Sequence, residues 1–299
     1  MKFDVVITNP PYQDSSHTEK KNTLWRKFIG LSQNLTKIGG YSSLVIPSSW
    51  MGSKKLLNEY FLDKNITFIN KDECRKYFPG VGSTFSYYIM NHIPYSGTTH
   101  IVNKQIDNSI VEEDLDLREV IFDCFPRDLS TEAVSIIKKV LNPNLPKLGI
   151  INTTVHHNVH KDRWKKIKTD EFKYPIQNTP NLLYYYNYPH QHQNKLKVII
   201  FTTTYYNKLM LSNDGTTQSG CYYLIPDELQ DKGDVVLHNL NNKLFNYINE
   251  CFRYANWNSV NLLRALPQIP FIDYMTDAEI YNHFELSQTE INHIENSIK

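Results

Sequence analysis

The chain has 299 residues, of which 40% are hydrophobic and 21% charged, and its formal net charge is +1. These proportions exclude a disordered or collagenous chain, and a polyanion partner would have to be met by local clusters of cations. Its 4 cysteines (Cys74, Cys124, Cys221, Cys251) form no C-x-x-C pair, so free thiols are expected, not a disulfide framework or a cysteine-rich zinc site. No apolar run reaches the roughly 20 residues of a membrane span, and Met1-Lys2-Phe3-Asp4 lacks a signal-peptide profile. A folded cytoplasmic protein is expected, with 20 tyrosines hinting at stacking or interface surface.

Phe3-Asp4-Val5-Val6-Ile7 is short, β-branched and almost continuously apolar, the pattern of a buried parallel strand. Leu24, Phe28, Leu31, Leu35 and Ile38 recur at the helical period, and Gly39-Gly40 would close that helix. Residues 41–47 read as a second strand, Ser53 as the cap of a helix carrying Leu56, Leu57, Tyr60 and Phe61, and residues 66–69 as a third strand. Residues 83–92 and 98–104 read as a hairpin turned at Pro94-Tyr95-Ser96-Gly97. Alternation fades after the acidic stretch Glu112, Glu113, Asp114 and Asp116, which places a division near residue 110. The second region, 111–299, reads as mixed α+β. It has a helix over 130–141, strands over 197–206 and 220–225, and a long helix marked by Leu237, Leu240, Leu244, Ile248 and Cys251. Thr276-x-x-Glu279 and Ser287-x-x-Glu290 are capping boxes that open two further helices.

Asn9-Pro10-Pro11-Tyr12 leaves the carboxyl end of the first strand, where open α/β sheets place ligands. Two prolines fix φ and remove two donors, so the loop is held extended with free carbonyl groups. The Asn9 side-chain oxygen and the Pro10 carbonyl can together accept both hydrogens of a planar exocyclic amine, drawing its lone pair out of the ring toward an electrophile. Tyr12 supplies a face for the ring that bears the amine.

These residues resemble the adenine-N6 DNA methyltransferases of the gamma group found in restriction-modification systems. Asp4 to Tyr12 is similar to their catalytic strand and loop, and Leu24-Trp25-x-x-Phe28 together with residues 39–50 to the next helix and strand. Phe78-Pro79-Gly80-Val81-Gly82-Ser83-Thr84-Phe85 resembles a later motif that sets an aromatic beside the target base. Leu240-Asn241-Asn242-Lys243-Leu244-Phe245 and Leu263-Arg264-Ala265-Leu266-Pro267 resemble the end of the target-recognition region. The resemblance implies a partial Rossmann-like methyltransferase sheet in 1–110 and a target-recognition, DNA-binding domain in 111–299. It also implies S-adenosylmethionine as methyl donor and double-stranded DNA as partner. Asn9 and Pro10, with Pro11 and Tyr12, would hold the amine by direct displacement chemistry, and Tyr12 and Phe78 would sandwich a flipped base. The family's glycine loop lies upstream of the catalytic strand, and no glycine precedes it here; Gly80-x-Gly82 is the single G-x-G. The chain therefore reads as half of a methyltransferase. It needs a protein partner for the cofactor half, or self-association to cover the first strand, or else it is an inactive DNA-binding or inhibitory module. A protein-glutamine methyltransferase also uses Asn-Pro-Pro-Tyr, but the long second region favours nucleic acid.

Lys161, Arg163, Lys165, Lys166 and Lys168, interleaved with Trp164, form a basic run suited to a phosphate backbone. Tyr184-Tyr185-Tyr186-Asn187-Tyr188 reads as strand packing before base stacking. His156, His157, His160, His190 and His192 have no cysteine or regular carboxylate to complete a metal site, so polar loop histidines and no metal are expected.

Overall fold

In the computed structural model the chain divides into two compact units, Met1–Val134 and Ser135–Lys299. The structure describes residues 1–12, 23–78, 84–120, 122, 124–159, 161–254 and 257–298. The Gly80-x-Gly82 pair and His160 lie outside the described residues. Among the described residues no helix is long and apolar enough to cross a membrane.

The first unit runs β1 (Phe3–Thr8), α1 (Trp25–Leu35), β2 (Thr36–Pro47), α2 (Lys54–Tyr60), β3 (Lys64–Lys71), β4 (Phe85–Pro94), β5 (Thr99–Lys104) and β6 (Ile110–Leu115). The division falls within α3 (Thr131–Val140). The strands make one mixed sheet in the order β1-β2-β4-β3-β5-β6, the α/β class expected.

Several elements differ from their sequence pattern, each for a local reason. The buried stripe of α1 is Trp25, Ile29 and Ser32, one residue round from the expected Leu24, Phe28, Leu31 face. Burying the indole removes more apolar surface than burying a leucine. α1 stops at Leu35, because Thr36 turns extended (φ −86°, ψ 139°) and its hydroxyl donates to Ser32 O at 2.8 Å. Gly39-Gly40 thus lies inside β2, in an irregularity where the pairing steps from Phe3↔Thr36 to Val5↔Tyr41. Gly39 has φ +78°, and a Cβ at Gly40 would stand 2.6 Å from the Asp4 carbonyl oxygen, so both positions need glycine.

β4 and β5 do not form the expected hairpin: β3 lies between them, antiparallel to β4 and parallel to β5. The linking segment is tied at the start of β3, where the buried Asn65 side chain accepts from Ser96 N at 3.1 Å and Ser96 Oγ at 2.6 Å. From there Gly97 (φ +98°) leads into Thr99, whose hydroxyl donates to Ile66 O at 2.6 Å. The hairpin is instead β5–β6, so the acidic stretch is a strand of this sheet, and the expected division at residue 110 coincides with the first residue of β6. β1 pairs parallel with β2 but is an edge strand whose Val5 is 55% and Ile7 76% exposed, contrary to the buried strand its apolar run suggested.

The second unit continues with β7 (Ile151–Asn152), β8 (Trp164–Lys165), β9 (Tyr174–Thr179), β10 (Leu182–Tyr186), β11 (Lys197–Phe201), β12 (Met210–Ser212), β13 (Gly215–Thr216) and β14 (Gly220–Leu224). α4 (Gly233–Leu240), α5 (Lys243–Cys251), α6 (Val260–Ala265), α7 (Asp277–His283) and α8 (Gln288–Ser297) follow. Its strands form two sheets, β13-β9-β10-β8 and β12-β11-β14-β7. The expected long helix is two, α4 and α5, because Asn242 caps α5 by accepting from Phe245 N at 2.8 Å. Both capping boxes form and open α7 and α8.

The contrast between β1 and its neighbour is testable. Ile7→Lys should change stability by no more than about 0.5 kcal/mol and reduce self-association, because the side chain is exposed and a charge blunts an edge. Ile46→Ala on β2, fully buried, should cost about 2–5 kcal/mol. Urea unfolding with light scattering checks both.

Candidate functional site

Register places the Asn-Pro-Pro-Tyr loop. β1 pairs with β2 through Thr8↔Leu44, and the chain leaves the sheet at Asn9. Pro10 is buried and Asn9 and Pro11 are exposed. The end of the loop is tied by Leu24 N, which donates to Tyr12 O at 3.3 Å. The Tyr12 hydroxyl donates to Asn9 Oδ1 at 2.7 Å, which orients the carboxamide and, among the described residues, leaves one of the two lone pairs of that oxygen for an incoming donor. Burial, aided by the nearby Cys74, raises the Tyr12 pKa above the ordinary phenol value, so the hydroxyl keeps the proton it donates.

The floor beside the loop is aromatic. Phe85, buried at the start of β4, lies 5.2 Å from the Tyr12 ring and is stacked on Phe78 at 4.6 Å. Tyr12 and Phe78 thus both lean on a third ring. The Phe85 backbone is fixed from the next strand: its carbonyl accepts from Asp72 N at 2.9 Å and from Cys74 Sγ at 3.4 Å. Asp72 adopts φ +62°, a strained conformation for a residue with a side chain. Its carboxylate repays that strain by accepting from Ser48 Oγ at 2.7 Å and from the buried Lys71 Nζ at 2.9 Å. Burial lowers the Lys71 pKa, with Asp72 opposing the shift. Burial also pushes the Cys74 thiol up to about 11, so it is no nucleophile near neutral pH.

In the second unit Lys161, Arg163, Lys165, Lys166 and Lys168 are all exposed, and among the described residues none pairs with a carboxylate. The segment is held by its aromatics: Trp164 stacks on Tyr184 at 4.1 Å, its indole N–H donates to His157 O at 2.7 Å, and Lys165 Nζ lies 4.5 Å from the buried Phe172 ring. The Arg163 guanidinium lies 5.8 Å from the Tyr188 ring, and Arg163 lines a groove of about 310 Å³ with Asn152, Thr154, Tyr188, His190 and Gln191.

His190 and His192 are structural in their contacts. His190 Nδ1 accepts from His192 N at 3.2 Å, which makes it a neutral imidazole, and His192 Nδ1 lies 2.6 Å from the Tyr222 hydroxyl. Burial, with the positive Lys197 nearby, pushes His190 down to about 4. Lys197 is fully buried, donates to Asp214 O at 2.7 Å, and is lowered by burial to about 8. Among the described residues no group of three His, Cys, Asp or Glu side chains is placed to hold a metal. The paired glycines among them, Gly39-Gly40, are used in the approach to Asp4, so the described residues offer no glycine-rich turn from strand to helix that fits S-adenosylmethionine.

Residues 1–75 match the family of Eco57I restriction-modification methylases. Among solved structures, the chain is similar to the Type IIL restriction-modification enzyme MmeI in complex with DNA, at 9% identity and a TM-score of 0.44, over 85% of this chain and 45% of that one. It is also similar to the Type IIG restriction endonuclease BpuSI (9% identity, TM-score 0.39, 98% and 49% covered). For the M protein of the Type I restriction enzyme EcoKI the figures are 11% identity, TM-score 0.27, and 35% and 26% covered. The chain spans less than half the length of each. No curated protein matches.

The structure brings Asn9 and Tyr12 into direct contact and joins Tyr12 to Phe78 through Phe85. Sequence reasoning assigned no role to Phe85, Asp72 or the Arg163–Gln191 groove. Phe85 was readable as the aromatic that follows Phe78 into a strand; nothing in the sequence signals the left-handed Asp72.

The neutral His190 makes stability depend on pH. Its folded pKa lies below the ordinary 6.5, so the unfolded chain binds more protons between about 4 and 6.5. Its contribution is full above that window and lost as pH falls through it, up to about 3 kcal/mol. Urea midpoints at pH 7, 5.5 and 4.5 should fall for the parent chain and fall less for His190→Gln.

Proposed function

We propose that this chain is the catalytic and target-recognition portion of a site-specific DNA adenine-N6 methyltransferase of a restriction-modification system, transferring methyl from S-adenosylmethionine held by a partner chain. The observation that carries the reading is the match of residues 1–75 to a restriction-modification methylase family, over the segment in which Asn9 Oδ1, among the described residues, accepts from the Tyr12 hydroxyl alone. In this reading Asn9 and the Pro10 carbonyl accept the two amine hydrogens of an extruded adenine, Pro11 keeps the loop from collapsing into the ladder, and Tyr12 and Phe78 offer ring faces. The amine nitrogen is aligned by these acceptors and needs no covalent enzyme intermediate, in keeping with the inert Cys74 thiol. Lys161, Arg163, Lys165, Lys166 and Lys168 contact the DNA, the lysines at its phosphate backbone. Because the described residues offer the cofactor no fit, the methyl donor is assigned to a partner that covers the exposed edge of β1. The same misfit supports a second reading, an inactive DNA-binding or inhibitory module.

Labelled-methyl incorporation into DNA, with a cofactor-binding partner present, separates the two readings. Asn9→Ala should lower the rate by about 100- to 1,000-fold, equivalent to about 2.7–4 kcal/mol, with folding intact. Unchanged incorporation would remove Asn9 from the mechanism.

Tyr12→Ala and Phe78→Ala should each reduce the emission change when a duplex carrying a fluorescent adenine analogue is bound, a stacked base being worth about 1–3 kcal/mol. Titration calorimetry of the chain alone should show no micromolar binding of S-adenosylmethionine; such binding would show that the cofactor is held within these residues.

A further inference from the structure

We infer that the groove lined by Arg163, Tyr188 and Gln191 reads base edges in the major groove of duplex DNA, with Arg163 and Gln191 setting the sequence preference. The inference rests on the DNA-binding part of the proposed function and is independent of methyl transfer. Arg163 differs from the lysines around it. Its guanidinium is held near the Tyr188 ring and the groove wall, whereas Lys161, Lys166 and Lys168 stand on exposed backbone with no partner among the described residues. A flexible ammonium suits a phosphate, which carries no sequence information. A planar guanidinium presents paired donors that match O6 and N7 of guanine.

Gln191 is the second reader. It is exposed, has no hydrogen bond among the described residues, and its carboxamide matches N6 and N7 of adenine. Its backbone is held on both sides. His190 before it is 93% buried, and its imidazole accepts from His192 N; the His192 ring after it is bonded to the Tyr222 hydroxyl. Gln193 ties the same loop down, its side chain donating to Pro175 O at 3.2 Å and accepting from His190 N at 3.3 Å. The loop therefore presents one free amide on a rigid support, so little ordering cost is left at binding. Among the described residues no acidic side chain lines the groove, so a polyanion can approach it.

The test is selection of bound duplexes from a randomised pool by the purified full chain and by its Arg163→Ala, Gln191→Ala and Lys166→Ala/Lys168→Ala variants. The parent chain should enrich a motif. Each of the first two variants should flatten preference at its own position by about 5- to 150-fold, leaving the rest of the motif in place. The double-lysine variant should keep the motif, bind all sequences more weakly, and lose about two from the slope of affinity against salt. A motif unchanged in both the Arg163 and Gln191 variants overturns the inference, as does a parent chain that enriches no duplex motif or prefers RNA. A chain that transfers no methyl group with a cofactor-binding partner present, yet loses its motif with Gln191, keeps the inference and sinks the methyltransferase reading. Methylation at a motif that both substitutions leave intact does the reverse.

Discussion

The candidate site depends on one close approach, that of Gly40 to Asp4. A methyl group at Gly40 would stand 2.6 Å from the Asp4 carbonyl oxygen, closer than a real Cβ contact allows. With glycine there, residues 37–40 are absorbed as a bulge, and β1 and β2 run in register from Val5↔Tyr41 to Thr8↔Leu44. β2 in turn pairs with β4 without interruption from Tyr41↔Asn91 to Pro47↔Phe85. Two registers in series therefore deliver Asn9 and Phe85 to the same end of the sheet, although 76 positions separate them in the chain. The exposed ion pair of Lys37 with Asp4, at 2.9 Å, adds little by comparison.

How much of this was legible follows from the range of each signal. The Ser53 cap and both capping boxes rest on residues within a few positions of one another, and all of them form; the Asn9–Tyr12 segment is equally short-range, and it follows β1 directly as its pattern implies. The break at Asn242 is equally local and was hidden only because the leucines on either side kept the helical period. Contacts between distant segments were less readable. Nothing near residues 94–97 announces that the buried Asn65 holds Ser96 where the chain passes to the far side of β3. A glycine pair after a helical pattern signals a stop in most chains; here Thr36 had already ended the helix, and the pair served β2. The basic run was readable as charge, but the separation of Arg163 from the lysines depends on Tyr188, which comes from another strand end.

The second unit spends stability to hold polar groups in its interior. Lys197 is fully buried on β11, donates to the Asp214 backbone carbonyl, and its pKa falls to about 8 through burial. His190 stays neutral and the Tyr222 phenol is pushed up to about 12 by burial. Buried polar groups of this kind cost free energy unless each finds a hydrogen bond, and these have found theirs in one another and in nearby backbone. What the arrangement gains is definition: the backbone on both sides of Gln191 is fixed by side chains with few alternative partners.

The two edges of the first sheet are built differently, and the difference bears on assembly. At β6 the edge carries Glu112, Glu113 and Asp114, charges that oppose pairing with a further strand. Thr131 N at the start of α3 also donates to Glu113 Oε2 at 2.6 Å, occupying one of those carboxylates. At β1 the corresponding row is Phe3, Val5 and Ile7, all exposed, with Tyr41 exposed beside Val5 on the neighbouring strand. No lysine or proline interrupts it. A sheet with one guarded edge and one open edge can grow in one direction only, and growth at β1 would bury those three side chains while pairing the outward amides and carbonyls of the strand. Asn9 follows that strand directly, so a strand added at β1 would run beside the segment that leads into Asn9.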